Sequence, residues 1–468
     1  MSDISDIDVV IIGGGVGGYI SALKGAQLGL KVVLIEKDQI GGVCLNRGCI
    51  PTKALVASAQ IFEYLKNAEQ YGLSAENISY NFKKIIDRKN RVVRRLTQGV
   101  QSLLKARNVR VIQGEAQIIY PGEIAIYKDG KKEEILRAKN IIIATGSNVR
   151  KVRIDIEANT ENILDTDKAL SLEELPGKIL VVGGGYSGIE FASILNSFDV
   201  QIEVVDILER ILLPVDEEIA NSLVRILKKK GILFYLNSKV LKIAQKYNQL
   251  SVSIENEKQI VEMETEKVLI STGRIPNFGG IDIKALGIRL ENGGIGVDKH
   301  MRTNIPGIYA VGDVVGKTML AHVAAMQGQV AVQNIAGIDR IMSYDVIPFC
   351  VFSNPEVASV GLTEEEARRK LTDIKIFKFP YRANGKALTM DEREGYVKMI
   401  ADIKNNQIAG IHIIGAHASD LIGEASLALQ KGCDADDIIE TIHAHPTLAE
   451  AIPEAAEGIL GHPIHVLR

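Results

Sequence analysis

One unit of sequence occurs twice in this chain. Asp8-Val9-Val10-Ile11-Ile12 is a short apolar run, followed by Gly13-Gly14-Gly15-Val16-Gly17-Gly18, a helical stretch to Leu28, and Lys31-Val32-Val33-Leu34-Ile35-Glu36. Lys178-Ile179-Leu180-Val181-Val182 repeats the run, followed by Gly183-Gly184-Gly185-Tyr186-Ser187-Gly188, a helical stretch to Leu195, and Gln201-Ile202-Glu203-Val204-Val205-Asp206. Every key position recurs at an offset of 170: Gly13 with Gly183, Gly15 with Gly185, Gly18 with Gly188, Glu36 with Asp206. A lone G-x-G-x-x-G is a weak signal. Two copies, each between a strand and a helix and each with an acid 18 residues after its last glycine, specify two βαβ dinucleotide sites.

The chemistry of such a turn asks for these residues. The first glycine permits the tight turn, the second lets backbone approach a pyrophosphate, and the third lets helix pack on strand. The helix N-terminus then faces the phosphates, and the acid accepts hydrogen bonds from ribose hydroxyls. Ile141-Ile142-Ile143-Ala144-Thr145-Gly146 and Val268-Leu269-Ile270-Ser271-Thr272-Gly273 read as buried strands ending in small residues, where each unit closes beside its ligand. Ile308-Tyr309-Ala310-Val311-Gly312-Asp313 is a further strand ending in an acid, ahead of a helix from Ala321 to Ala336. From Ile347 the texture changes: Lys398–Asp402 and Ile408–Gly415 read as antiparallel strands around Lys404-Asn405-Asn406, with helical patterns at 419–432 and 434–444. The expected fold is α/β, with two Rossmann-like domains and a C-terminal α+β domain. The expected boundaries are 1–147 and 148–275 for the two nucleotide domains, the second an insertion, then 276–346 for a central domain and 347–468 for the last.

Directly after the first unit comes Gly41-Gly42-Val43-Cys44-Leu45-Asn46-Arg47-Gly48-Cys49-Ile50-Pro51-Thr52-Lys53. Two sulfurs in so short a loop, beside a cofactor turn, suggest a redox disulfide; a structural bridge or two buried thiols is the alternative. Pro51 suits a first helical turn, and a sulfur at a helix N-terminus has its thiolate stabilised by exposed N–H groups, typically by ~0.3–1 kcal/mol. Only four cysteines occur in 468 residues, far from a disulfide-stapled secreted chain. Cys350, within Val346–Phe352, reads as a buried core thiol, and Cys433 as an inert loop or helix-end residue.

Composition narrows the remaining classes. With 46% hydrophobic and 24% charged residues and a net charge of −3, no basic face advertises nucleic acid. The uncharged stretch Val9–Leu23 holds five glycines and is too short for the ~18–20 apolar residues that span a bilayer. Met1-Ser2-Asp3-Ile4-Ser5-Asp6 is acidic, with neither a basic n-region nor an Arg-rich transit pattern, so the cytoplasm is expected. No Cys/His spacing suits a metal, and none is expected.

The end of the chain holds His443-Ala444-His445-Pro446-Thr447-Leu448-Ala449-Glu450. Pro446 to Ala455 reads as a helix start with Glu450 on its second turn. Glu450 could hold the Nδ1–H of His445 and leave Nε2 free for a proton, although taken alone a solvated loop histidine is the more common explanation. His443, His462 and His465 lie nearby without acidic or cysteine ligands in register.

Taken together, Gly41 through Lys53, the doubled dinucleotide motif, Ala310-Val311-Gly312-Asp313 and His443 through Glu450 resemble the flavoprotein disulfide reductases, class I of the pyridine nucleotide-disulfide oxidoreductases. Within that family the chain is most similar to the dihydrolipoamide dehydrogenases, with further matches at Asn354–Thr363 and Ala383–Ala387. The resemblance covers essentially the whole chain. It implies FAD in the first unit, with Gly13, Gly15, Gly18, Glu36, Lys53, Ala116, Gly146, Asp313 and Ala321 on that side. It implies NAD in the second, with Gly183, Gly185, Gly188, Glu190, Asp206, Val240 and Gly273. It further implies catalysis by Cys44, Cys49, His445 and Glu450, an ion pair of Lys53 with Glu190 near the flavin, and a cis bond before Pro446. The last domain would form a homodimer interface carrying His445 into the other subunit's site. The implied partner is a lipoyl-bearing acyltransferase or glycine cleavage H protein, whose dihydrolipoamide is oxidised as NAD+ is reduced.

Three positions depart from the family pattern. Asp206 stands where Glu is more common; its carboxylate still repels a 2′-phosphate and favours NAD, although Arg210 lies close in sequence. Tyr186 either covers a nicotinamide pocket or is a packed aromatic. Asp420 replaces a longer Glu. The alternatives are a glutathione or mercuric reductase, a flavin transhydrogenase, and an idle flavoprotein scaffold. The chain lacks the terminal cysteine pair of mercuric reductases and the basic NADPH-binding residues. The intact Cys44, Cys49, His445 and Glu450 set counts against the last two.

Overall fold

Each glycine-rich repeat folds around a five-stranded parallel sheet in the computed structural model, which describes residues 7–257 and 259–467. Residues 7–54, 83–152 and 273–343 form one unit; 55–82, 153–272 and 344–467 form the other.

In the first unit the strand order is Ile308–Ala310, Asn140–Ile143, Val9–Ile12, Val32–Glu36, Arg110–Gln113. All neighbours are parallel, with Val9 opposite Val32 and Asn140. Val9–Ile12 and Ile141–Ile143 are wholly buried, which explains their unbroken apolar sequence: a parallel sheet covered on both faces needs no polar alternation. The second unit repeats the order as Ile163–Leu164, Lys267–Ile270, Lys178–Val182, Gln201–Val205, Leu233–Tyr235. Between its third and closing strands each sheet carries an antiparallel meander, Glu115–Tyr120, Glu123–Lys128 and Lys131–Arg137 in one, Ser238–Lys246, Gln249–Asn256 and Gln259–Thr265 in the other. The duplication therefore runs well past the glycine motif. Only the edge strand differs in origin, coming from residue 308 in the first sheet and residue 163 in the second.

The second unit also holds an antiparallel sheet in the order Phe349–Val351, Glu356–Gly361, Ile408–Gly415, Tyr396–Asp402, Ile374–Pro380. Helices Ala418–Lys431, Ala435–Glu440 and Ala451–Leu460 contribute Ile422, Ala425, Ile438, Ile452 and Ala455 to a core shared with Val360, Met399, Ile411 and Ile413. Fully burying such a Leu-sized side chain contributes roughly 1.5–3 kcal/mol.

Several expectations need correction here. The helix expected over 434–444 ends at Glu440, because Thr441 turns extended and its hydroxyl donates back to the Asp437 carbonyl at 2.9 Å. The helix expected from Pro446 starts at Ala451, after a 3₁₀ turn at Leu448–Glu450, so Glu450 lies on that turn and not on a second helical turn. Cys350 is half-buried on strand Phe349–Val351 and packs against the core's margin, so it is not a core thiol. Charge is not evenly spread either: helix Phe82–Ala106 carries eight Lys and Arg residues against Asp87 alone. Among the described residues no helix is long and apolar enough to cross a membrane.

Candidate active site

The two glycine turns are near copies in space. Gly13 has φ +106° and Gly183 φ +113°, and a Cβ on either would lie 2.3 Å from a closing-strand carbonyl, that of Ala144 or Ser271. A Cβ at Gly18 or Gly188 would fall 1.8 or 2.0 Å from the carbonyl of that turn's own first glycine, so the third glycine closes the turn itself as well as packing helix on strand. Gly15 and Gly185 differ from both. Each caps a helix, Val16–Gln27 or Tyr186–Ser197, and a Cβ at Gly185 meets nothing within 4 Å, while one at Gly15 meets only Gly42 Cα at 3.9 Å. The protein's own packing demands the outer two glycines, and the middle one faces open space at a helix N-terminus suited to an anion.

Both acids brace their turns. Glu36 accepts from Gly14 N at 2.6 Å and Asp38 N at 2.7 Å; Asp206 accepts from Gly184 N at 2.5 Å and Leu208 N at 2.9 Å. The shorter Asp206 thus makes the same two-armed contact. Each carboxylate oxygen keeps a second lone pair for a hydroxyl. Gly146 and Gly273, at φ +71° and +98°, end the two closing strands, and a Cβ on either would meet nothing within 4 Å. Ala116 and Val240 lie on the first strand of their respective meanders. Asp313, on a 3₁₀ turn after Ile308–Ala310, accepts from Ser147 Oγ at 2.5 Å, and Arg274 Nε donates to the same hydroxyl at 2.7 Å. Ala321 opens helix Ala321–Ile335.

The cysteines sit on a surface joined to the first glycine turn. Gly41 N donates to Gly14 O at 2.8 Å, and a Cβ on Gly42 would stand 2.6 Å from Gly15 Cα. Cys44 lies on the short helix Gly42–Arg47, which no periodicity in the sequence announces, and Cys49 is the first residue of helix Cys49–Lys66. Asn46 pins the turn by donating to Gly42 O at 2.9 Å and Ile40 O at 3.1 Å. Both sulfurs are thiols, hydrogen-bonded to each other. That bond, then burial, pushes the Cys44 thiol up, and the ammonium of Lys53 works against the rise. Tyr19, on helix Val16–Gln27, feels the same sulfurs: burial and then both cysteines push its phenol up. Nothing in its sequence context marks it.

In the other unit, His445 Nδ1 lies 2.8 Å from Glu450 Oε1, and Glu450 Oε2 accepts from Thr447 N at 2.8 Å. One carboxylate therefore holds the imidazole and caps its own turn as the Glu of a Thr447–Glu450 capping box. Burial would raise the Glu450 carboxyl, but the Thr447 N–H and His445 outweigh it and hold it below the usual range. The His445–Pro446 bond is cis, and the imidazole is 78% exposed with Nε2 outward from the pair. Glu190, 3% exposed on helix Tyr186–Ser197, accepts from Phe352 N at 3.0 Å. Tyr186 meets Phe349 edge-on at 6.1 Å yet stays 37% exposed. Arg210 donates to Leu213 O at 3.2 Å and lies 3.5 Å from Glu217, turned into its own loop. Asp420 pairs with His417 at 3.2 Å.

Comparison with known proteins agrees with this geometry. Residues 7–328 match the family described as pyridine nucleotide-disulphide oxidoreductase, and 347–456 match the dimerisation domain of the same family. A dihydrolipoyl dehydrogenase of Bacillus subtilis (strain 168) is 42% identical, across 98% of this chain and 99% of the relative. One from Geobacillus stearothermophilus is 38% identical, across 99% and 98%. Among solved structures, the HOCl-induced flavoprotein disulfide reductase RclA from Escherichia coli, in its Cu(II) complex, superimposes with a TM-score of 0.87 at 28% identity, covering 97% of this chain and 99% of that one. With its doubled nucleotide turn, its cysteine pair and its dimerisation domain, the chain belongs to the pyridine nucleotide-disulphide oxidoreductases.

Proposed function

We propose that this chain is a cytoplasmic dihydrolipoyl dehydrogenase, oxidising a protein-bound dihydrolipoyl arm and reducing NAD+ through FAD. The observation that carries the reading is the seam between the cysteine turn and the first glycine turn, Gly41 N to Gly14 O at 2.8 Å. It sets two mutually bonded thiols against a dinucleotide turn, as transfer of electrons from sulfur to a flavin requires.

The residues fit both cofactors. Open space stands before Gly15, Gly146, Gly185 and Gly273, and the buried Thr272 hydroxyl at the second closing strand has no hydrogen-bond partner. Gly13, Gly15, Gly18, Glu36, Lys53, Ala116, Gly146, Asp313 and Ala321 would hold FAD. Gly183, Gly185, Gly188, Glu190, Asp206, Val240 and Gly273 would serve NAD. Asp206 disfavours a 2′-phosphate, and Arg210 is drawn off by Glu217 and Leu213. Bound there, FAD supplies two-electron acceptance from sulfur and hydride donation to NAD+.

The chain's own residues do the thiol chemistry. In a homodimer, His445 works across the interface on the other subunit's cysteines. With Nδ1 held by Glu450, it takes a proton at Nε2 from one thiol of dihydrolipoamide. The resulting thiolate attacks Cys44 Sγ of a Cys44–Cys49 disulfide, forming a mixed disulfide and releasing Cys49 as a thiolate. The second substrate sulfur displaces Cys44 and closes lipoamide, its proton leaving with Cys44. The electron pair then resides on the two cysteines, and Cys49 would pass it to bound FAD. The lipoyl arm belongs to an acyltransferase of a 2-oxo acid dehydrogenase complex or to a glycine cleavage H protein.

A steady-state assay of purified protein with dihydrolipoamide, glutathione and both nicotinamide cofactors tests this. Dihydrolipoamide with NAD+ should be the preferred pair; turnover favouring glutathione and NADP(H) would refute it.

A further inference from the structure

His443 precedes His445 by two residues, and none of the steps above uses it. Its side chain is 9% exposed. Nε2 lies 2.7 Å from Glu424 Oε1, and Nδ1 lies 2.7 Å from the Thr441 carbonyl. A carbonyl only accepts, and so does an ionised carboxylate, so both ring nitrogens must donate. Only the imidazolium does that. A protonated Glu424 donating to a neutral ring would reverse the ordinary order of acidity, about 4.3 for Glu against about 6.5 for His.

The clasp ties a loop to a rigid element. Glu424 belongs to helix Ala418–Lys431, whose Ile422, Ala425 and Ala428 are embedded in the core. Thr441 is tethered at the other side, its hydroxyl donating to Asp437 O at 2.9 Å. Glu424 faces the ring from that helix, and Glu450, on the ring's own segment, lies within reach of its charge.

We propose that His443 is a positioning residue, an imidazolium clasped between Glu424 and the Thr441 carbonyl, which fixes the loop that aims His445. The inference rests on the reading of His445 as the base that deprotonates dihydrolipoamide.

Two measurements test it. In protein labelled with 15N-histidine, with His443 assigned by its loss in His443→Gln, both ring nitrogens should carry the signature of a protonated ring at pH 7.5. Glu424→Gln should move them toward a neutral ring. In rapid mixing, His443→Gln and Glu424→Gln should slow flavin reduction by dihydrolipoamide about 10- to 100-fold, the scale expected when a reacting group is misaimed. Flavin-to-NAD+ transfer should hold its rate, and Glu424→Asp should recover most of the loss. A neutral His443 ring in the wild type, equal slowing of both half-reactions, or wild-type rates in both variants would each overturn the proposal. A wild type inert toward dihydrolipoamide but with the protonated signature would overturn the functional reading and leave the clasp standing.

Discussion

Replacing Lys398 by Met should cost the second unit about 3–5 kcal/mol, the usual penalty for stranding a buried charge. Lys398 sits on the inner strand Tyr396–Asp402 with its side chain 1% exposed, and its ammonium meets three carboxylates: Glu364 at 2.7 Å, Asp216 at 2.9 Å and Glu218 at 3.2 Å. The ammonium donates hydrogen bonds to Asp216 and Glu364, and Glu218 adds a third charge. Asp216 is itself 1% exposed and also caps helix Glu217–Lys229, so without Lys398 its charge stays buried with only backbone N–H groups from Glu218 and Glu364. Glu218 keeps Lys378, and Glu364 keeps Arg368, so most of the loss falls on Asp216. At about 2–4 °C per kcal/mol for a unit of this size, the melting temperature should fall by roughly 6–20 °C. The double variant Lys398→Met, Asp216→Asn should lose less than the sum of the single changes, because it removes the stranded charge.

The pH dependence has a definite sign. Desolvation would raise the Asp216 and Glu364 carboxyls, but His412 and the Glu364 N–H for Asp216, the Arg368 contact for Glu364, and the hydrogen bond and charge of Lys398 for both hold them below the ordinary range. A carboxylate with a depressed folded pKa adds stability that is full above its unfolded value, about 3.9 for Asp and 4.3 for Glu, and is lost as pH falls through the folded value. Desolvation would lower the Lys398 ammonium, but Glu364 and Asp216 hold it up, so its share lasts through the neutral range. The gap between wild type and Lys398→Met should therefore be constant from pH 5 to about 9 and close below about pH 4. Thermal melts by circular dichroism across that range decide the matter. A drop under about 1 kcal/mol at pH 7, strictly additive singles, or an unchanged gap at pH 3 would refute this account of the cluster.

Other outcomes follow from the site. Cys49→Ser should fold and bind FAD but lose disulfide turnover; a purified variant reducing lipoamide at the wild-type rate would sink the assigned roles. His445→Gln should slow the thiol half-reaction far more than flavin-to-NAD+ transfer, by roughly 10²–10⁴, as followed in stopped flow. Gly183→Ala forces a Cβ to within 2.3 Å of Ser271 O at φ +113° and should lower the melting temperature, whereas Gly185→Val, facing open space, should leave it near wild type and weaken NAD+ binding by calorimetry.

Much of this is legible in the chain because the information is local. The strand, glycine turn, helix and acid occupy a few tens of residues, and their steric demands are met by near neighbours, as when Gly18 meets Gly13. The His445–Glu450 pair is legible for the same reason. Its helix boundary is harder to place: Thr447-x-x-Glu450 spells a capping box, yet Pro446 just before it also suits a first helical residue. What the pattern hides is long-range. Glu424 meets His443 across 19 residues, and Lys398 meets Asp216 across 182, partnerships that no periodicity encodes. The meanders are hidden because their strands are half-exposed and alternate irregularly, as in Gln259–Thr265, where the first four residues in succession face solvent.

The different origin of the two edge strands has a consequence for synthesis. The second parallel sheet draws all its strands from residues 163 to 270, so it can close as soon as that stretch has left the ribosome. The first, begun at Val9, waits for Ile308–Ala310, about 165 residues beyond its closing strand, or roughly 8–33 s of translation at 5–20 residues per second. Throughout that interval Asn140–Ile143, entirely apolar from Ile141 onward, is an unpaired parallel edge. The parallel sheet begun first is thus the one closed last, and its open edge is where a nascent chain of this design needs shielding.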